Sequence, residues 1–193
     1  MFKKVLVANR GEIARRIFRA CRELGMRSVA IYSAVDRSAP WARLADESYP
    51  LDGVTARETY LNQEAIFRVA RTAGVDAIHP GYGFMSENPD FAEACARQGW
   101  HFIGPSPGSM RALGSKAAAR LLARQVGVPV IPGVDGAEHD DAGLQALAAE
   151  IGYPVLIKAS GGGGGKGMRV VRDPAGFLDA LRDARSEIGR AHV

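Results

Sequence analysis

The sequence has no apolar run that approaches the roughly 20 residues needed to span a bilayer. Its first residues, M-F-K-K-V-L-V-A, lack the apolar core and the small-residue cleavage site of a signal peptide. Cysteine is scarce: Cys21 and Cys95 are the two in the chain, and both fall in helix-like segments. Lone cysteines in such segments are typical of reduced core thiols. We therefore expect a cytoplasmic protein with no membrane segment and no metal site.

Charge of one sign is not concentrated anywhere along the chain. The 25 basic and 21 acidic residues give a net charge of +4, and the arginines are spread along helical stretches. A dispersed basic excess is not typical of nucleic-acid-binding proteins, so we expect no nucleic acid partner. The four histidines show no metal-ligand spacing.

The sequence also lacks two common nucleotide-binding fingerprints. The first strand-to-helix turn reads A-N-R-G-E-I, which has no G-x-G-x-x-G, and Glu12 at the start of the helix would repel a phosphate. Asp36, after the second strand, superficially matches the acid that binds the ribose of NAD. Without the glycines we interpret residues 9–12 as a helix-capping turn and Asp36 as a loop aspartate.

Strands and helices alternate through the first 113 residues. The expected strands are 3–8, 27–32, 48–51, 77–79 and 101–103, and the expected helices are 12–24, 62–72 and 89–97. Asn88-Pro89 fits an N-cap followed by a first helical position. This alternation predicts an α/β fold with a doubly wound parallel sheet.

The pattern changes after residue 113. The expected elements are helices at 116–126 and 141–151, strands at 154–158 and 168–172, and a helix from about residue 174. Pro129, Pro132, Gly133 and Gly136 suggest a domain junction between the two earlier helices. The pattern predicts the beginning of a small α+β unit with too few elements to bury its own core comfortably.

A glycine-rich segment, S-G-G-G-G-G-K-G at 160–167, joins the two strands of this unit. Glycine allows backbone to approach a ligand closely, and successive N–H groups can surround an anion. The segment is not a Walker A loop, because Ser160 stands where the pattern needs glycine and Gly167 where it needs Ser or Thr. We interpret it as a cover over nucleotide phosphates, and the alternative is a disordered linker.

A second loop, H-P-G-Y-G-F-M-S-E-N at 79–88, follows a strand of the predicted sheet. Ligands bind at the carboxyl edge of such sheets, and Tyr82 or Phe84 could pack on a flat ligand. A structured connection whose aromatic rings fill the core is equally compatible with the residues. Lys116 begins a helix, where a lysine opposes the helix dipole and so hints at an anionic partner, although a plain exposed lysine is commoner.

These motifs in combination closely resemble biotin carboxylase, the ATP-grasp component of biotin-dependent carboxylases. The resemblance covers residues 1 to about 187 and rests on A-N-R-G-E-I-A-R-R-I at 8–17, A-D-E at 45–47, the 79–88 loop, F-I-G-P at 102–105, G-S-K at 114–116, and Y-P-V-L-I-K-A-S-G-G-G-G-G-K-G-M-R-V-V at 153–171. It implies a Rossmann-like preATP-grasp domain at 1–113, followed at 114–187 by the start of an ATP-grasp domain with its glycine-rich lid.

The resemblance also implies roles for residues of the nucleotide site. Lys116 and Lys158 match the two lysines that hold ATP, with Lys158 on the phosphates. Gly164 and Gly165 match lid glycines whose backbone contacts the nucleotide. Lys158 also ends an apolar strand beside the glycine run, where an ammonium group can meet a phosphate.

Two further pairs follow from the same resemblance. Tyr82 and Gly83 match a loop that borders the biotin pocket. Arg19 and Glu23 match positions in a homodimer contact, and their alternative interpretation is a solvated i,i+4 ion pair.

The implied activity is that of an ATP-dependent ligase. MgATP activates bicarbonate as carboxyphosphate, and the carboxyl group then passes to biotin on a carrier protein or domain. A carboxyltransferase serves the final acceptor, which we expect to be an acetyl-CoA, propionyl-CoA or methylcrotonyl-CoA type. The alternatives are another ATP-grasp ligase, of the carbamoyl-phosphate or purine pathways, or a nucleotide-binding or dimer-forming fragment without chemistry.

The family's magnesium-binding carboxylates, catalytic arginine and bicarbonate-binding residues match nothing in these 193 residues. We therefore expect the catalytic residues downstream, no metal ligands within this sequence, and no turnover by it alone. The last residues, I-G-R-A-H-V at 188–193, match the translation of a common sequencing-adapter oligonucleotide, so we expect a non-native tail.

Overall fold

The computed structural model describes residues 2–114, 116–134, 139–158 and 167–189, apart from the side chains of 116–117 and 187–189. It separates into two compact units, Met1–Arg111 and Ala112–Val193.

The first unit is built on a parallel sheet with the strand order β3-β2-β1-β4-β5. The strands are β1 Lys4–Val7, β2 Arg27–Tyr32, β3 Glu47–Pro50, β4 Ala77–His79 and β5 His101–Phe102. The helices are α1 Gly11–Glu23, α2 Gln63–Ala73, α3 Pro89–Arg97 and α4 Pro107–Leu113. This order, in which the chain first builds outward on one side of β1 and then on the other, confirms the predicted doubly wound α/β fold.

The core lies on both faces of this sheet, as a parallel sheet requires. Successive side chains of a strand point to opposite faces. Leu6 therefore packs in one cluster with Ile66 and Phe91, while Val5 packs in another with Phe18. All five of these side chains are at most 2 % exposed, so the central strand is enclosed from both sides.

Two of the three long helices of this unit have side-chain caps. The Asn88 side chain accepts hydrogen bonds from the backbone N–H groups of Asp90 and Phe91, and Pro89 follows it, as predicted. Asn62 caps α2 through the N–H of Ala65. In α1 the N-cap residue is Arg10, which makes no side-chain cap hydrogen bond. The prediction that residues 9–12 form a helix-capping turn is therefore wrong.

The second unit contains a two-stranded antiparallel sheet packed against helices. Its elements are α5 Lys116–Gln125, α6 Asp141–Ile151, β6 Val155–Lys158, β7 Met168–Val171 and α7 Phe177–Gly189. Ala148, Val171, Phe177 and Leu181 form its small core. One turn of 3₁₀ helix, Pro174–Gly176, capped by Asp173, precedes α7, so that helix begins three residues later than predicted. It includes 188 and 189 from the expected tail, and 190–193 lie outside the described residues.

Candidate functional site

The most distinctive point of the first unit is the carboxyl edge of β1 and β4. These strands are paired in parallel, with Val7 opposite His79, and the N–H of Ala8 donates to the carbonyl of His79 at 2.8 Å. The strand order reverses between β1 and β4, and ligands of open α/β sheets bind outside the carboxyl ends of strands at such a reversal. The residues that follow these two strands are therefore the first candidates for a site.

Asn9 follows β1 and connects it to the loop after β4. Its side chain is buried, and its Nδ2 donates to the carbonyl oxygens of Pro80 and Tyr82, each at 2.7 Å. Its Oδ1 accepts from the N–H of Arg10 at 2.9 Å. Asn9 therefore uses its amide to hold the 80–82 backbone, a role that no local sequence pattern indicates.

The loop after β4 is folded tightly against Asn9. Gly81 has φ +67°, and a Cβ at this position would stand 2.8 Å from Nδ2 of Asn9. The N–H of Gly81 donates to Nδ1 of His79 at 3.0 Å. Phe84 also has a positive φ, 43°, although it carries a side chain. These constraints fix the path of the backbone on both sides of Tyr82.

The two aromatic residues of this loop lie in different environments. Phe84 is partly buried and stacks on Tyr60, with ring centroids 5.2 Å apart, so it fills the core. Tyr82 is 60 % exposed, and its hydroxyl donates to Oε1 of Glu12, at the start of α1. Because ionisation would remove that proton and set two negative charges side by side, the contact raises the pKa of Tyr82. Gly83 is exposed beside it.

Asp36, which we predicted to be a loop aspartate, is the last residue of a 3₁₀ turn, Ala34–Asp36. It is 5 % exposed and accepts hydrogen bonds from Arg10, Tyr60 and Ser33. The Arg10 guanidinium, then the hydroxyls of Tyr60 and Ser33, lower the pKa of this carboxyl. Burial and the same carboxylate raise the pKa of Tyr60 to about 12. Asp36 thus ties the turn after β2 to the turn after β1.

A second candidate surface lies on the β6–β7 hairpin. Lys158 ends β6 and is exposed, and its register partner on β7 is Met168. Leu156 and Val170 form the next pair on the same face. Leu156, Met168 and Val170 are 43 %, 38 % and 62 % exposed, because the core of this unit lies against the opposite face. The hairpin therefore presents an open apolar strip with a lysine at the end from which the glycine-rich segment departs.

The remaining predicted nucleotide residues are only partly covered by the structure. Lys116 is the first residue of α5, as predicted, but its side chain lies outside the described residues. Gly164 and Gly165 lie outside them as well. Their assignment to the nucleotide site stays a prediction.

Arg19 and Glu23 lie on the exposed side of α1. Nε of Arg19 is 2.7 Å from Oε1 of Glu23, and the two side chains are 80 % and 62 % exposed. Within the described ranges this is an i,i+4 pair on the helix surface, and the prediction that it contacts a second copy of the chain remains to be tested.

Two other kinds of feature are absent from the part of the chain that the structure describes. No group of three or more His, Cys, Asp or Glu side chains there could hold a metal ion. No helix among those residues is long and apolar enough to cross a membrane.

Comparison with protein families gives two matches that together span most of the chain. Residues 1–110 match the family model described as biotin carboxylase, N-terminal domain. Residues 115–192 match the model described as carbamoyl-phosphate synthase L chain, ATP binding domain.

Among curated proteins, the biotin carboxylase of Pseudomonas aeruginosa is 48 % identical over 192 residues, covering 99 % of this chain and 43 % of the relative. The mitochondrial methylcrotonoyl-CoA carboxylase subunit alpha of Oryza sativa is 51 % identical over 185 residues, covering 96 % of this chain and 25 % of the relative. The chain thus spans less than half the length of these relatives.

Solved structures give the same result. The biotin carboxylase of Campylobacter jejuni, in a beta-gamma-ATP complex, superposes with a TM-score of 0.94 at 44 % identity, covering 100 % of this chain and 43 % of that one. The biotin carboxylase domain dimer of Hydrogenobacter thermophilus 2-oxoglutarate carboxylase, with MgADP, ADP and bicarbonate, has a TM-score of 0.92 at 47 % identity, covering 99 % and 42 %. The parallel sheet, the two family matches and these relatives agree. They show that the chain belongs to the biotin carboxylase family.

Proposed function

We propose that this chain forms the N-terminal part of a biotin carboxylase, an ATP-dependent ligase that carboxylates biotin on a carrier protein or domain with bicarbonate as the carbon source. The relatives extend well past the region matched here, since the chain covers 43 % of the Pseudomonas aeruginosa enzyme. The residues that carry the chemistry are then supplied by the downstream part of the enzyme. These 193 residues would contribute to nucleotide and biotin binding.

The observation that carries this proposal is the open face of the β6–β7 hairpin. Lys158 and Met168 stand opposite each other where the hairpin leads into the glycine-rich segment. Ligand sites combine apolar surface with a few placed polar groups. An apolar strip suits the flat base of a nucleotide, and an ammonium group at its end suits the phosphates. The described residues of this hairpin therefore fit ATP.

Within this proposal the residues that match the family retain the roles expected from the resemblance. Lys158 neutralises phosphate charge, Lys116 provides a second cation, and the backbone N–H groups of Gly164 and Gly165 close over the nucleotide. Mg²⁺, when bound, would neutralise the phosphate oxygens further. Its ligands are assigned to the downstream part, as the resemblance implies.

Tyr82 and Gly83 are proposed to border the biotin pocket. Their support from the structure is their position: they are exposed and follow β4 at the reversal of strand order. A flat ureido ring can pack against an exposed aromatic ring, and glycine beside it allows close approach to backbone.

The partners follow from the same proposal. Arg19 and Glu23 would take part in a homodimer contact, and a biotin carrier and a carboxyltransferase would complete the pathway of the carboxyl group. We place the enzyme in the cytoplasm, which is consistent with its two free buried thiols. An acyl-CoA acceptor of the acetyl, propionyl or methylcrotonyl type is part of the proposal.

A chimera tests the function directly. Residues 1–187 replace the matching part of the Pseudomonas aeruginosa enzyme, and biotin- and bicarbonate-dependent ATP hydrolysis is measured. We expect the chimera to be active, and Lys158→Ala to raise KM for ATP about tenfold or more, the loss of one charge-assisted contact. Arg172→Ala, which removes a positive charge from the opposite end of the same hairpin, is the matched control and should leave KM for ATP unchanged.

Two results would contradict the proposal. One is a folded chimera that hydrolyses no ATP in response to biotin while the Pseudomonas enzyme does so in the same assay. The other is equal KM for ATP in the Lys158→Ala and Arg172→Ala proteins. The 193-residue chain alone is expected to show no turnover, and biotin-dependent ATP hydrolysis by it would refute the assignment of catalytic residues to the downstream part.

A further inference from the structure

The turn between β1 and α1 makes contacts that neither helix capping nor nucleotide binding explains. Asn9 and Glu12 both lie in or next to this turn, and both contact the loop after β4, which is 70 residues or more away in sequence. The Asn9 contacts are to the backbone of that loop. The Glu12 contact is to the exposed side chain of Tyr82.

Asn9 fixes the backbone of the loop. Its side chain is 3 % exposed, and each of its amide atoms has a hydrogen-bond partner. A buried amide that donates to two carbonyls cannot turn away without leaving those carbonyls unsatisfied. A Cβ at position 81 would stand 2.8 Å from Nδ2 of Asn9, so the backbone of the loop passes close to this amide.

Glu12 fixes the side chain that the loop presents. An exposed tyrosine on a loop can take several rotamers, and holding one of them requires a partner. The Glu12 carboxylate is that partner, since it accepts the hydrogen bond of the Tyr82 hydroxyl. The bond is charge-assisted, so it is stronger than one between neutral groups.

We infer that Asn9 and Glu12 are positioning residues that set the backbone and the side-chain orientation of the Tyr82 loop for its ligand. This inference rests on the proposed function, in which Tyr82 and Gly83 border the biotin pocket. Asn9 acts through the carbonyls of Pro80 and Tyr82, and Glu12 acts through the Tyr82 hydroxyl. Neither residue needs to touch biotin.

The test uses the active chimera and separates KM for biotin from KM for ATP. Glu12→Ala should raise KM for biotin about threefold to tenfold, the value of one hydrogen bond, and leave KM for ATP unchanged. Glu12→Gln keeps an acceptor oxygen and should restore most of the loss. In a Tyr82→Phe background, Glu12→Ala should have no further effect, because the hydroxyl through which it acts is absent.

Two additional variants complete the design. Glu64→Ala is the matched control, because Glu64 is also an exposed glutamate in the first turn of a helix, α2. Asn9→Asp replaces the donating amide with a carboxylate, which cannot donate to the two carbonyls that it faces. This variant should therefore raise KM for biotin and also lower the free energy of unfolding. Should this buried variant fail to fold, the surface variants of Glu12 still decide the question.

A spectroscopic measurement on the 193-residue chain decides whether Glu12 holds Tyr82 independently of activity. With ¹³C-labelled tyrosine, and Tyr82→Phe to assign the signal, Glu12→Ala should lower the pKa of Tyr82. An unchanged pKa would overturn the inference. Two results with an active chimera would also overturn the inference. One is the same KM for biotin in Glu12→Ala and Glu64→Ala, and the other is that the increases in KM for biotin caused by Glu12→Ala and Tyr82→Phe add in the double variant. An inactive chimera would count against the proposed function instead.

Discussion

Replacing Asp36 by asparagine should destabilise the first unit strongly although it changes the shape of the side chain very little. The carboxylate accepts from Nε and Nη of Arg10 at 2.6 and 2.5 Å, from the Tyr60 hydroxyl at 2.7 Å and from the Ser33 hydroxyl at 3.2 Å. Asparagine offers one oxygen in place of two and carries no charge. At least one of these donors therefore loses its acceptor.

The magnitude follows from the burial of the donors. Tyr60 is 2 % exposed, so a hydroxyl left without an acceptor costs about 1–3 kcal/mol. The Asp36 side chain is 7 % exposed but that of Arg10 is 46 % exposed, so water can solvate the guanidinium. The loss of the ion pair is then about 1–2 kcal/mol rather than the 3–5 kcal/mol of a fully buried pair. Together the two losses come to about 2–5 kcal/mol.

Urea unfolding followed by tryptophan fluorescence measures this loss. Both tryptophans, Trp41 and Trp100, belong to the first unit, so the signal reports on that unit alone. Asp52→Asn is the control, since the Asp52 side chain is 91 % exposed and stands 3.6 Å from Arg68. The slope of the free energy of unfolding against urea concentration should stay the same in both variants. If Asp36→Asn then lowers the free energy of unfolding no more than Asp52→Asn does, the network does not stabilise the fold.

The same variant changes the response to acid. The pKa of the Asp36 carboxyl is lower in the folded protein than its ordinary value. The ionised Asp36 carboxyl therefore stabilises the fold fully above the pKa of an aspartate in the unfolded chain, about 3.9. This stabilisation is lost as the pH falls through the pKa of Asp36 in the folded protein. Asp36→Asn should flatten this part of the curve of stability against pH. An acid limb as steep as that of the original protein would refute the assignment.

Three further predictions concern buried or capping residues. Cys21 and Cys95 are 3 % and 0 % exposed, and burial raises the pKa of Cys95 to about 12, so both thiols should resist a thiol reagent until urea unfolds the chain. Gly81→Ala should cost about 2 kcal/mol or more in the same urea assay, because φ is +67° and the new Cβ would meet Asn9. Asn88→Ala should lower the free energy of unfolding by about 1 kcal/mol in the urea assay, because the N-cap of α3 is lost. A smaller decrease than in Asp52→Asn would contradict this prediction.

The sequence was sufficient for the architecture because the signals of the long elements are local. The apolar strands, the glycine that ends α2 with φ +61° and the Asn88-Pro89 cap each depend on a few adjacent residues. Short elements were missed for the opposite reason. The 3₁₀ turns Ala34–Asp36 and Pro40–Arg43, and the seven-residue helix α4, have too few residues to show a periodic pattern.

The candidate site was predictable only in part. The 79–88 loop was identified from its position after a strand and its glycines, but the roles of Asn9 and Asp36 were not. Each acts on residues 24 or more positions away, such as Tyr60 and Tyr82, and a local pattern does not encode such pairs. One signal was available: Asn9 directly follows the predicted strand 3–8, and an amide that is buried there requires hydrogen-bond partners.

The pairing of β1 with β4 also determines when the site can assemble. Val5 is opposite Ala77, so the contact closes a loop of about 70 residues, and parallel pairings across such a distance form slowly. Ribosomes add about 5–20 residues per second, so Asn9 leaves the ribosome several seconds before the carbonyls to which it donates. During that interval β1 has no β4 strand to pair with. The contacts of Asn9 with the 80–82 backbone are thus completed only after β4 and the loop behind it have been synthesised.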